Sequence, residues 1–436
     1  MMKFIYSVFF SLFGLLIGFS QEKSKIWTLQ ECIQYADQNN ISIKKSELSA
    51  EIQKAEVTRN KYAFYPSVSA SVGGNYSFGS PLSDNSFNNN YNISSNVSLY
   101  NGKRNKNNLK IAQKNLAIQN LQIEELKNDI SLRVVNAYLN ILYNRENVKI
   151  AKDQVKVGKE LVKKMQELVD AGTKARNDLF QIQANLATNE ENLVKAENNL
   201  DLALLDLTLL LQIPNKGFDI AAVPVNIDQA KLLYNDSDII YQKALNWRPE
   251  IQRAQLDIEN SETRIAIAKS GILPSVSASY SFGTNYFNVS NGINQQGYLD
   301  QLKDHRGHAV GLSINIPIFD KFATKTSEQK AIIQKEIATY SLEDERTNLR
   351  AEIERAYIDA KTSLKSFEAS QKTVQAQEEA FRTAKERYNL GVLTSYDFDQ
   401  VRNQLVNAQS AFIRAKYNFI FRSKFLEFYY GLPIKL

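Results

Sequence analysis

The sequence predicts an α+β membrane protein, with long coiled-coil helices carrying two pairs of β-strands. Three observations predict it: the chain repeats itself, its longest helices exceed any compact domain, and four segments strictly alternate apolar and polar residues.

The 436-residue chain opens with a leader. Lys3 supplies a positive charge, Phe4 to Phe19 is uncharged and apolar, and Gly18 and Ser20 are small residues just before Gln21. Residues 1–20 are therefore predicted to be a secretory signal, a short membrane anchor being the other reading. No later apolar run is long enough for a transmembrane helix, so a bilayer crossing would need a β-barrel. Cys32 is the single cysteine and lies beyond the apolar run, in LQEC. It cannot close an intramolecular disulfide and does not read as a lipid-attachment site, so packing or assembly must stabilise the chain. The net charge of +6 is spread by alternating Lys/Arg and Glu/Asp, which reads as solvated helix faces and excludes a nucleic-acid footprint.

The repeat organises the remainder. PSVSAS opens at Pro66 and again at Pro274, 208 positions on, and Ala36/Ala244 and Ile43/Ile251 match at that offset. Ala137-Tyr138 matches Ala356-Tyr357, Gly172 matches Gly391, Asp178 matches Asp397 and Pro214 matches Pro433, all 219 apart. One insertion of eleven residues in one loop accounts for the jump. A first repeat is placed at 21–213, a linker or small mixed segment at 214–236, and a second repeat at 237–436. Helices are expected at Ile41 to Ala63 and Pro249 to Ser270, at about Lys103 to Ala171 and Lys321 to Leu390, and at about Ala175 to Leu211 and Ser395 to Tyr430.

The long helices carry a narrow 3,4-spaced seam, Val148, Ala151, Val155, Gly158, Val162, Met165 and Val169. The returning helix answers with Leu179, Ile182, Leu186, Asn189, Leu193, Ala196 and Leu200, and its counterpart runs from Phe398 to Phe419. Such a long helix would reach about 100 Å.

The strands alternate cleanly. Val276, Ala278, Tyr280 and Phe282 oppose serines; Val310, Leu312, Ile314, Ile316 and Ile318 oppose Gly311, Ser313, Asn315 and Pro317. Tyr91, Ile93, Val97 and Leu99, and Val68, Ala70 and Val72, do the same in the first repeat. Each segment of about ten to twelve residues suits a tilted crossing, with Ser, Asn and Gly toward a watered lumen and aromatics near the ends. Ile314 is expected near mid-strand facing lipid, and Ser313 facing the lumen. Four strands cannot close a transmembrane barrel, so the barrel must be shared among chains. Soluble hairpins packed on the helices are the competing reading.

The duplicated order, YPSVSAS and LPSVSAS at the strand entries, IPIFD before the second long helix and YNLGVLTSYDFDQV at its far end together resemble the TolC-type outer-membrane efflux family, over Gln21 to Leu436. The resemblance implies a homotrimer in the outer-membrane lipid of a Gram-negative bacterium. Twelve strands would form one shared β-barrel and twelve helices an α-barrel tunnel through the periplasm. The function implied is the duct of a tripartite efflux or type I secretion system, fed by an inner-membrane pump of RND or ABC type through a periplasmic membrane-fusion adaptor. A non-pore periplasmic coiled-coil scaffold or adaptor is the alternative from another class.

No catalytic constellation is visible and no enzyme, cofactor or metal site is expected; His305 and His308 lack the further ligands a metal needs. Interest falls on the helix tips. Gly172 and Gly391 read as left-handed helix caps. The resemblance makes Ala171-Gly172-Thr173 and Leu390-Gly391-Val392 the adaptor-docking turns. It also makes Asp397 an aspartate ring at the periplasmic mouth, while Gln400 stands where a second ring is expected and Asp399 is turned away by about 100°. Asp178 and Tyr388 match the family's latch, but Leu393 stands in place of its arginine, which implies a weaker latch unless Lys174 or Arg176 compensates. For Asp397 a second reading stands open, because Thr394-x-x-Asp397 fits a helix-capping motif.

Overall fold

The computed structural model describes residues 26–78, 86–222, 232, 236–289 and 296–433. The predicted signal at 1–20 and much of the 214–236 linker lie outside the described residues.

The duplication is written into the element boundaries. Helices Leu29–Asn39 (α1) and Ile41–Tyr62 (α2) recur as Ser237–Trp247 (α5) and Pro249–Lys269 (α6), their starts 208 positions apart. Helices Arg104–Asp170 (α3) and Arg176–Leu211 (α4) recur as Ala323–Asn389 (α8) and Ser395–Tyr430 (α9), starting and ending 219 apart. Between them lie strands Ser67–Ser77 (β2) and Ser86–Asn101 (β3), and strands Ser275–Val289 (β5) and Gly307–Asn315 (β6). The inserted loop carries its own helix, Tyr298–Asp304 (α7). A two-residue strand pair, Ile26–Trp27 (β1) and Asp219–Ile220 (β4), completes the order.

The compact units do not coincide with the repeats. One takes its described residues from 1–40, 128–237 and 355–436, the other from 41–127 and 238–354, so each draws on both repeats.

The second unit holds an antiparallel sheet in the order β2-β3-β5-β6. Its register brings apolar residues together: Ala70 opposes Ile93, Ile93 opposes Phe282, and Ala278 opposes Leu312, with Ser95 the polar exception opposite Val68. One face is therefore apolar and the other is serine, asparagine and glycine, with Ser69 and Ser94 hydroxyls 3.0 Å apart. Away from α7 the apolar face is exposed: Val310 is 85% exposed and Val72 is 72% exposed. The competing expectation was two separate hairpins packed on the helices; instead β3 pairs with β5, so both hairpins belong to one sheet. The β6 prediction overran, because Pro317 has no N–H to donate and the strand ends at Asn315, two residues before it. In the same unit α6 is tied to both long helices, Arg253 donating to Glu125 (3.0 Å) and to Glu345 (3.2 Å).

The first unit is built on coiled-coil seams. Val148, Val155 and Met165 on α3 and Leu179 and Ile182 on α4 are buried, as are Phe398, Leu405, Ala408, Ala415 and Phe419 on α9. Gly158 lies in that seam, and a Cβ there would sit 3.0 Å from Leu186 Cδ1; the glycine allows the close approach. β1 and β4 pair in parallel, held to α3 by the Tyr138 hydroxyl donating to Ala221 O (2.9 Å) and by Arg145 donating to Ile220 O (3.0 Å).

Candidate functional site

The candidate site is the pair of helix-hairpin tips, both in the first unit. Each long helix ends in the same cap. Gly172 N–H donates to Val169 O (2.9 Å) and Thr173 N–H to Leu168 O (2.9 Å); Gly391 N–H donates to Tyr388 O (3.1 Å) and Val392 N–H to Arg387 O (3.0 Å). Both glycines are left-handed, at φ +74° and +75°. This double bond is the Schellman arrangement, which satisfies carbonyls the helix end leaves open. A Cβ at either glycine would meet nothing within 4 Å, so conformation, not crowding, requires them. Leu390 and Val392 protrude into solvent, with Ala171 and Thr173 exposed on the other tip.

The returning helices begin differently. Thr394 caps α9: its hydroxyl accepts from Asp397 N–H (3.1 Å) and donates to Asp397 Oδ2 (2.7 Å). Ala175 at the start of α4 has no such side chain. Asp397 is thus both exposed and engaged in its own helix cap, and Gln400 is exposed beside it. Asp399, a predicted mouth residue, is buried. It forms an ion pair with Arg402 (3.1 Å), itself 3% exposed, and accepts from Asn185 Nδ2 on α4. Within one chain its carboxylate joins α9 to α4.

Tyr388 stacks on Phe398 (4.6 Å between centroids, 18° between planes). Lys164 of α3 lies 5.4 Å from the Tyr388 ring and donates to Asn389 Oδ1 (2.9 Å). The two tips are therefore linked through Lys164, which the sequence reading passed over. No hydrogen bond joins Asp178 to Tyr388 among the described residues; Asp178 stands in the first turn of α4, where a carboxylate favours the helix N-terminus. Above the tips, α3, α4 and α9 enclose a groove of about 630 Å³ lined by asparagines with Lys195, Arg402 and Arg414. Its lining is polar, and two of its cations are paired, Lys195 with Glu191 and Arg402 with Asp399. The histidines lie elsewhere and hold the sheet: His305 Nδ1 donates to Asn285 O (2.8 Å), and His308 Nδ1 bonds the Tyr280 hydroxyl (2.9 Å). Among the described residues no cluster of three or more potential metal ligands occurs.

A sheet with one bare apolar face, joined in one chain to capped coiled-coil hairpins, defines the fold of outer-membrane channel subunits. The chain matches the Campylobacter jejuni CmeC outer membrane channel with a TM-score of 0.76, covering 92% of this chain and 85% of that one at 18% identity. It belongs to the outer membrane efflux protein family, which matches residues 32–211 and 240–431. The family is one of outer-membrane efflux proteins, and the fold is shared with a solved outer-membrane channel. Among curated relatives, the alkaline protease secretion protein AprF of Pseudomonas aeruginosa is 21% identical over 306 residues, covering 70% of this chain and 62% of AprF. The outer membrane efflux protein BepC of Brucella suis is 21% identical over 398 residues, 91% of this chain and 83% of BepC. The chain spans less than two thirds of the length of the first curated relatives it matches.

Proposed function

We propose that this chain is one third of an outer-membrane duct for efflux or type I secretion. Three copies would join four-stranded sheets into one twelve-stranded barrel, and their paired hairpins into an α-barrel tunnel. The carrying observation is the sheet itself: its apolar face is exposed, its opposite face is hydrophilic, and β2 and β6 each leave an edge unpaired within the chain. Open edges are excluded from lipid, and pairing β6 of one copy with β2 of the next removes them.

The tips at Ala171–Thr173 and Leu390–Val392 are the docking turns for a periplasmic adaptor, which hands over cargo from an RND or ABC pump. Exposed apolar side chains beside a rigid cap support this reading. Asp397, with Gln400 one turn away, is the favoured mouth residue, while Asp178 and Tyr388 remain the proposed latch between neighbouring copies. Asp399 is given the lesser role of fixing α9 against α4, because its carboxylate is already paired.

The test is native mass measurement on detergent-extracted protein together with conductance in planar bilayers. The expected outcome is a heat-labile trimer that conducts. A conducting monomer is incompatible with a four-strand share, and a non-conducting soluble oligomer would favour the scaffold.

A further inference from the structure

The insertion that distinguishes the second repeat has a built place on the sheet. β5 continues to Val289, but β6 begins at Gly307 opposite Gly283, leaving the last six residues of β5 without a strand on that side. α7 fills the gap. Gln301, 6% exposed, accepts from Phe287 N–H (3.0 Å), and His305 donates to Asn285 O (2.8 Å), so the helix takes up backbone groups that a longer β6 would have used. Covering an edge with a helix is a recognised way to protect it.

The helix lies on the apolar side of the sheet. Tyr91 and Thr284 oppose each other in the register, on the same face as Ile93 and Phe282. The Tyr91 hydroxyl bonds that of Tyr298 (2.6 Å), the Thr284 hydroxyl donates to Leu302 O (2.6 Å), and the Tyr286 and Tyr298 rings meet at 4.7 Å. Phe87 opposes Tyr76 in the register and its ring lies 6.2 Å from Tyr286, so Tyr298 extends an aromatic row along that end of the apolar face. On the solvent side of α7, Leu299 is 67% exposed, and Lys303, exposed, follows four residues later on the same helix face.

The geometry points to α7 as an interfacial helix. It rests on the lipid side of the barrel at its outer rim, with Leu299 in the acyl boundary and Lys303 reaching the anionic headgroups. An apolar side chain and a snorkelling cation on one face, continuous with an aromatic belt, are what a headgroup–acyl boundary accommodates. The inference rests on the barrel reading, and its occupant is the lipid of the surrounding leaflet.

The test uses the full trimer carrying Cys32→Ser, reconstituted in bilayers containing phosphatidylglycerol. An environment-sensitive fluorophore is attached in turn at Leu299→Cys, Lys303→Cys and Val310→Cys. Quenchers are lipids spin-labelled near the headgroup, lipids spin-labelled deep in the chain, and aqueous iodide. Expected is loss of fluorescence at 299 to the shallow lipid quencher, at 303 to iodide, and at 310 to the deep one. Iodide quenching at 299, with 310 still quenched from the lipid, overturns the interfacial helix and leaves the barrel standing. A probe at 299 quenched by none of the three agents assigns α7 to a neighbouring copy and also overturns it. If 310 too is quenched only by iodide, the barrel reading falls with it.

Discussion

At the scale of single residues, two aspartates two positions apart sit differently: one is buried against an arginine and the other is exposed in the cap of its own helix. Asp399 and Arg402 are both buried and paired, with Asn185 closing the network. Removing one member leaves a buried charge uncompensated, so Arg402→Met is expected to cost about 3–5 kcal/mol, read as a fall in the unfolding midpoint of the extracted protein. Asp397→Ala should behave differently. If three copies converge at the mouth, its loss lowers cation selectivity and weakens block by multivalent cations while the trimer stays folded. Unchanged selectivity with reduced thermal stability would reduce Asp397 to the Thr394 cap. A third carboxylate gives a pH signature. Burial raises the pKa of Asp257 above the usual value, with Arg253 and Arg264 pulling it back. A raised native pKa means the folded state favours the protonated form. That contribution is full below the unfolded pKa and is lost as pH rises through the native one. Asp257→Asn should therefore raise the unfolding midpoint at neutral pH, by a margin that shrinks on acidification; an equal margin at all pH values would refute the burial penalty.

At the scale of elements, the sequence was most legible where one physical period dominates. The 208 and 219 offsets and the Gly172 and Gly391 caps place the long and returning helices to within a residue or two, because heptad spacing persists over many turns and stops at a glycine. Short elements were missed. α1 carries a full capping box, with Glu31 N–H donating to the Thr28 hydroxyl (3.3 Å) and Thr28 N–H to the Glu31 carboxylate (2.8 Å). The pattern Thr28-x-x-Glu31 was there to be read. The β1–β4 pair was not readable, since two-residue strands 193 positions apart depend on Tyr138 and Arg145, on a different helix, to hold them. α7 was hidden inside a polar loop because seven residues are too few for periodicity. The burial of Asp399 was not readable, because Arg402 and Asn185 of α4, which hold its carboxylate, are brought to it only by the packing of α4 on α9. For the tips, the open space around Gly391 separates cap from docking. Gly391→Ala should cost about 1–2 kcal/mol for a left-handed residue with a Cβ. Gly391→Asn tolerates that conformation, so it should retain the cap and the thermal midpoint. If the turn receives an adaptor, the Asn variant nonetheless loses export in cells. Export unaffected by Asn would place docking elsewhere.

At the scale of the whole molecule, the decisive question is which face of the sheet meets lipid, and the register sharpens how to ask it. Ile314 was expected near mid-strand, but β6 ends one residue later, so Ile314 lies at the rim, opposite Val276. Val310 stands in the row with Tyr280, Ser95 and Val68, nearer the middle of the apolar band. Four residues of strand separate it from Ile314, about 14 Å along the chain and about 10 Å in depth once the strand tilts. An arginine facing lipid costs about 2–4 kcal/mol at the midplane and about 0–1 near the interface. Val310→Arg should therefore impair insertion most, Leu312→Arg less and Ile314→Arg least, whereas Ser313→Arg, on the opposite face, should insert normally and change conductance. A soluble sheet has no reason to grade its tolerance by depth. Equal losses at Val310, Leu312 and Ile314, measured as the fraction of trimer recovered from the membrane, would remove the lipid assignment even if all three variants were less stable than the parent.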